Sequence, residues 1–158
     1  MRSDSTTPRD SSNLRIALLV SSYHKEVTSK LQEGAFGAYL DAGGNANNCR
    51  SITVAGAWEL PIVAQKIASS GRFDAIVTLG CIITGETTHD AIIGHSIARG
   101  LMQTALAWGR PISMGVLTCQ TIEQAMARAG GNCGNKGAEA MNAAIETTTT
   151  LEEEKDAK

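Results

Sequence analysis

An alternation of short apolar runs with helix-period segments predicts an α/β domain, a parallel sheet lying between two layers of helices. Two further observations support it. The runs are near-continuous in Val, Ile, Leu and Ala, as strands covered on both faces require. The connections between runs and helical segments are two to eight residues long, the usual length in crossover units.

Residues 1–13 (MRSDSTTPRDSSN) are polar and are expected to form an arm that is disordered or lies on a neighbouring copy. Residues 14–21 (LRIALLVS) read as the first, central strand. Val27, Leu31, Ala35, Ala38 and Ala42 then recur at helical spacing until Gly43 and Gly44 stop the helix. A second strand is expected near 50–55, followed by a helix from about Glu59 with Leu60, Val63, Ala64, Ile67 and Ala68 on one face. Pro61 falls in its first turn, where a missing N–H costs nothing.

Residues 73–83 read as the third strand, and Ile92, Ile93, Ile97, Leu101, Met102 and Ala105 mark a third helix ending near Gly109. Pro111 opens a fourth strand at 112–118, and helices follow at 121–129 and about 135–147. Gly34, Gly37, Gly94 and Gly100 each cost their helices up to ~1 kcal/mol relative to Ala, so they are expected where helices pack closely on the sheet or on another subunit. No internal repeat is present. The sum is a flavodoxin-like three-layer α/β/α sandwich with a four-stranded parallel sheet, its domain spanning 14–147 and a polar tail at 148–158 expected to fray.

At 158 residues the chain suffices for one domain with a real core. A net charge of -2 argues against nucleic acid as a partner, because phosphate backbones are held by a basic surplus. No apolar run approaches the ~20 residues that cross a bilayer, so no membrane association is expected. The first residues contain no apolar leader core, and the expected location is the cytoplasm. Cys49, Cys81, Cys119 and Cys133 show no C-x-x-C spacing, and His24, His89 and His95 complete no zinc pattern. Reduced, mostly buried thiols are expected, and no metal site.

In an open parallel sheet, ligands bind beyond the carboxyl ends of the strands. Three loops leave those ends, and each carries residues a plain turn would not need: Ser22-Tyr23-His24, then Gly56-Ala57-Trp58-Glu59, then the loop from Gly80 to His89. Each residue also has a plainer reading. Tyr23 could pack at a rim, Trp58 could plug the core, and Glu59 could complement the helix dipole. His89 has the stronger chemical reading, since an imidazole in the first turn of a helix can take and return a proton near neutral pH. His95, set deeper among isoleucines, is expected to be structural. Arg128 could complement a helix C-terminus, and Lys136 could be a solvated loop cation. The run GGNCGNKG fails as a nucleotide phosphate loop, because its lysine does not directly follow the glycine and no Ser or Thr follows the lysine.

Taken together, TSKLQEGA, GAWELP, GETTHD, GVLTCQTIEQAMARAG and GNKGAEA, in this order across 14–145, resemble the 6,7-dimethyl-8-ribityllumazine synthase family of riboflavin biosynthesis. The resemblance implies pentamers with active sites between neighbouring subunits, and small-molecule substrates needing no cofactor. The substrates would be 5-amino-6-(D-ribitylamino)uracil and 3,4-dihydroxy-2-butanone 4-phosphate, joined with release of phosphate and water. It places Tyr23 on the pyrimidine ring, Ala57, Trp58 and Glu59 along the ribityl chain, and the backbone of Cys81, Ile82 and Ile83 at the pyrimidine edge. Gly85, Glu86 and Thr87 match its phosphate loop, and His89 its general acid/base.

Arg128, on the phosphate, and Lys136 match residues contributed by the adjacent subunit. Met114 stands where a phenylalanine commonly reaches across, which keeps apolar cover but loses a flat face. Thr84, His24 and Asp90 depart from the commonest Arg, Asn and aromatic, while Glu59, Thr87, His89 and Arg128 are kept. The family also implies riboflavin synthase as a functional partner. The connection at 130–137 carries no insertion that would block an icosahedral capsid of pentamers. A flavodoxin-like carrier of flavin or lumazine without turnover is the alternative reading, and release of inorganic phosphate separates the two.

Overall fold

The computed structural model describes residues 11–157. Most of the expected N-terminal arm, 1–10, lies outside them. Four strands, β1 (Ile16–Ser21), β2 (Cys49–Val54), β3 (Ala75–Ile83) and β4 (Ile112–Cys119), form one sheet in the order β2-β1-β3-β4. All three pairings are parallel, with Ile16 level with both Cys49 and Ala75, and Ile76 level with Ile112. The helices are α1 (Lys25–Asp41), α2 (Leu60–Ala68), α3 (His89–Trp108), α4 (Ile122–Arg128) and α5 (Lys136–Asp156).

Side chains alternate across a strand, so a central strand coated on both faces must be apolar throughout. Ile16, Leu18 and Val20 pack with Val27, Leu31 and Ala35 of α1 and with Met141, Ala144 and Ile145 of α5. Ala17 and Leu19 point the other way, into Leu60, Ala64 and Ile67 of α2 and Ile97 and Leu101 of α3. Every residue of β1 is buried. Each large side chain fully buried in this way contributes about 1.5–3 kcal/mol. The flavodoxin-like α/β/α layering expected from the alternation is therefore the observed one.

Several boundaries differ from the sequence reading. β3 begins at Ala75 rather than 73 because Asp74 turns its carboxylate to Arg15 and Arg110, at 2.9 and 2.8 Å. α5 continues through Asp156, across the segment expected to fray. The hydroxyls of Thr148, Thr149 and Thr150 donate to carbonyls four residues back, and buried Thr148 anchors the helix to the core. A small antiparallel pair, β5 (Ala129–Gly131) and β6 (Gly134–Asn135), occupies the glycine-rich run. Such short strands carry no periodicity to read.

Among the helix glycines, Gly34 lies against the Asn135 side chain, and a Cβ on Gly100 would stand 3.0 Å from Pro61. Gly37 has nothing within 4 Å, so packing within the chain does not explain it. His95 also departs from expectation. It is exposed, because α3 buries only Ile97 and Leu101 and presents Ile92, Met102 and Leu106 outward. Among the described residues no helix is long and apolar enough to cross a membrane.

Candidate active site

The strand order reverses between β1 and β3, and at that switch point the helices leave in opposite directions and open a crevice. The loops after β1 and β2 are tied together there. Ser22 donates its N–H to Val54 O at 2.8 Å and its hydroxyl to Ala55 O at 3.0 Å. His24 then enters the left-handed region at φ 54°, the only non-glycine residue with positive φ among the described ones. That conformation costs an L-residue with a Cβ about 1–2 kcal/mol. It makes the chain reverse, so that His24 O accepts from Val27 and Thr28 at the start of α1. The reversal leaves Tyr23 67% exposed and edge-on to His24, with ring centroids 4.7 Å apart. Tyr23 is not a packed rim residue.

After β2, Ala57–Glu59 form one 3₁₀ turn before Pro61 starts α2. Ala57 is buried and Trp58 is 56% exposed, so the indole faces the crevice rather than plugging the core. Glu59 folds back toward Gly56, where a Cβ would come within 3.0 Å of its carboxylate. The end of β3 supplies Cys81 and Ile82, both buried, and Ile83. Burial, reinforced by Cys119 and Glu26, pushes the Cys81 thiol up to about 12. At neutral pH this sulfur is a protonated, unreactive group, and the strand offers the crevice its backbone.

Thr84 leaves β3 with its N–H on Cys119 O at 2.9 Å and its hydroxyl donating to Asp90 Oδ2 at 3.0 Å. Between these points Gly85, Glu86, Thr87 and Thr88 loop outward, all exposed. Thr87 Oγ1 accepts from His89 N, the first N–H of α3, at 3.4 Å, and the N-cap residue Thr88 makes no side-chain bond to the helix. A terminus held by only one long side-chain bond leaves the following N–H groups and the positive end of the helix dipole for an anion.

These segments enclose a half-open cavity of about 490 Å³. Tyr23, Ala57, Trp58, Cys81, Ile82, Ile83, Gly85, Thr87 and His89 line it, together with His24, Gly56, Asp90 and Ile93. Gly56 belongs to the loop the sequence marked, whereas Ile93 was read only as part of the third helix's apolar pattern. Gly56 stands beside Ala57 in its loop, and Ile93 lies one turn after His89, so helical spacing could have found it. No lysine or arginine lines this cavity among the described residues.

Met114, Arg128 and Lys136 lie elsewhere, in a separate cleft of about 420 Å³ along β4. Met114 is 50% exposed there. Arg128 donates to Gln124 O at 3.0 Å, and Lys136 meets Glu139 at 2.7 Å, an exposed pair worth little. Glu59 and Glu86 line neither cleft. The described residues contain no group of three or more His, Cys, Asp or Glu placed to hold a metal ion.

A crevice at the switch point of a doubly wound sheet, with aromatic walls, a reachable imidazole and an open helix N-terminus, is that of an α/β enzyme acting on small molecules. Comparison with known proteins narrows the class. The sequence model of 6,7-dimethyl-8-ribityllumazine synthase matches residues 13–152. The enzyme of that name from Deinococcus deserti is 42% identical over 139 residues, covering 88% of this chain and 89% of that protein. The one from Deinococcus radiodurans is 40% identical over 141 residues, covering 89% and 91%. The chain belongs to the 6,7-dimethyl-8-ribityllumazine synthase family, transferases of riboflavin biosynthesis.

Proposed function

We propose that the chain joins 5-amino-6-(D-ribitylamino)uracil to 3,4-dihydroxy-2-butanone 4-phosphate in the 490 Å³ cavity. Tyr23 stacks on the pyrimidine ring, whose edge meets the backbone of Cys81, Ile82 and Ile83. Ala57, Trp58 and Glu59 hold the ribityl chain. The loop of Gly85, Glu86 and Thr87, through its backbone N–H groups and the Thr87 hydroxyl, and the α3 N-terminus receive the phosphate. His89, exposed at the mouth, moves protons.

The primary amine attacks the ketone, and water leaves as the imine forms. Loss of a proton from the adjacent carbon expels inorganic phosphate by β-elimination. The resulting enol becomes a ketone, which the ribityl-bearing nitrogen attacks, and a second water leaves as the ring closes. Each stage moves a proton, which the imidazole supplies or accepts. Departing phosphate needs charge stabilisation, and an arginine provides it as a fork of donors.

The cavity bearing His89 holds no lysine or arginine among the described residues, while Arg128 and Lys136 line the other cleft. We therefore place Met114, Arg128 and Lys136 of one subunit against the cavity of the next, in a homopentamer able to assemble further into a capsid. The protein acts in the cytoplasm, and its product passes to riboflavin synthase. The observation that carries the reading is the gathering of three loops, from three strands, around one cavity of substrate size.

Mixing purified protein with both substrates tests it. Lumazine absorbance and inorganic phosphate should rise together, one for one. Tight lumazine binding with no phosphate release would establish the carrier reading instead.

A further inference from the structure

We propose that Thr84 is a positioning residue that holds the Asp90 carboxylate off the N-terminus of α3 and so keeps that terminus open to the substrate's phosphate. The inference rests on the reading of Gly85, Glu86 and Thr87 as the phosphate loop. Asp90 is the second residue of α3 and lines the cavity. A short carboxylate so near a helix start is drawn to the free N–H groups and the positive end of the dipole. Folded onto them, it would occupy the donors an anion needs and repel the phosphate directly.

The geometry shows it held elsewhere. Thr84 Oγ1 donates to Asp90 Oδ2 at 3.0 Å, while the N-cap residue Thr88 makes no side-chain bond to α3 and only Thr87 Oγ1 reaches its first N–H, at 3.4 Å. Thr84 is itself fixed, its N–H on Cys119 O at 2.9 Å, so the anchor belongs to the sheet and not to the loop. The bond joins the end of β3 to the first turn of α3 and closes the loop carrying Gly85 and Thr87 at its base. His89 lies between Asp90 and that loop, so the same bond sets the direction in which α3 presents the imidazole.

Steady-state kinetics on the assembled enzyme tests the assignment. Thr84→Val removes the donor at nearly constant shape and should raise KM for the four-carbon phosphate about five-fold, with the pyrimidine KM within about two-fold of wild type. Thr84→Ser, which keeps the hydroxyl, should restore the wild-type value. In an Asp90→Asn background the same Thr84→Val change should move that KM by less than about two-fold, since no carboxylate remains to restrain. An unchanged phosphate KM in Thr84→Val, equal changes in both KM values, or the same effect in the Asp90→Asn background would each overturn the role. Thr87→Ala separates the two layers. If it raises the phosphate KM while Thr84→Val is silent, only the role of Thr84 falls. If it leaves that KM unmoved, the phosphate loop reading falls and this inference falls with it.

Discussion

At the scale of single residues, the proposed roles give proton transfer to His89 and charge stabilisation to Arg128, and their variants should fail differently. His89→Ala should lose about 10²-fold in kcat, the low end for acid/base groups, because amine–ketone condensation is intrinsically easy and positioning dominates. Arg128→Ala should mainly raise KM for the phosphorylated substrate. Initial rates with each substrate varied in turn distinguish these patterns, and wild-type kcat in His89→Ala would remove its role.

Asp74 gives a pH dependence of a different origin. Burial alone would raise its carboxyl, but hydrogen bonds from Arg15 and the charges of Arg15 and Arg110 outweigh that and hold it below its usual range. A carboxyl depressed on folding stabilises the fold above its unfolded pKa of about 3.9 and ceases to do so as pH falls through the lower folded value. Asp74→Asn should therefore cost about 1–2 kcal/mol in urea unfolding at pH 7, with the gap to wild type closing below about pH 3. The aromatic and imidazole residues of the cavity were legible in the sequence because strand ends are where ligands bind. The bond between Thr84 and Asp90 was not, since six positions of chain separate them and only the fold of the loop brings them together.

At the scale of elements, α1 and α5 cross where small residues allow their backbones to meet. Asn135 binds both helices. Its Oδ1 accepts from Gly137 N and Ala138 N at 2.9 and 3.1 Å, and its Nδ2 donates to Lys30 O at 2.9 Å. A Cβ on Gly137 would collide with Leu31 O of α1, so Gly137→Ala should destabilise by about 1–3 kcal/mol. Thermal unfolding should show the loss, and a variant melting with wild type would mean that the crossing yields freely. The start of α5 could be read from its capping asparagine. Its extent could not, because four successive threonines argue against helix until tertiary contacts bury Thr148 and the hydroxyls bond along the helix.

At the scale of the whole molecule, the proposed catalytic groups lie in two clefts of each subunit. If one subunit's cavity is completed by its neighbour, two inactive variants should complement. Co-refolded His89→Ala and Arg128→Ala chains should regain activity at about a quarter of sites, those taking an intact half from each. No recovery would argue that each chain works alone. The layer order was legible because strict alternation of strand and helix leaves few right-handed arrangements. The division of the site between clefts was legible only through the family resemblance, which assigns Arg128 and Lys136 to an adjacent subunit, since periodicity does not show which edge of the sheet β4 occupies.

The placement of β1 has one more consequence, for the chain while it is being made. Both partners of β1 come later in sequence, so Ile16–Ser21 must wait for Cys49–Val54 before any backbone bond can form beside it. In that interval an uncharged, β-prone hexapeptide is open to the same stretch of another nascent chain. Arg15 stands immediately before it, a gatekeeper charge on its leading end. The arginine that later clasps Asp74 first serves to keep growing chains apart.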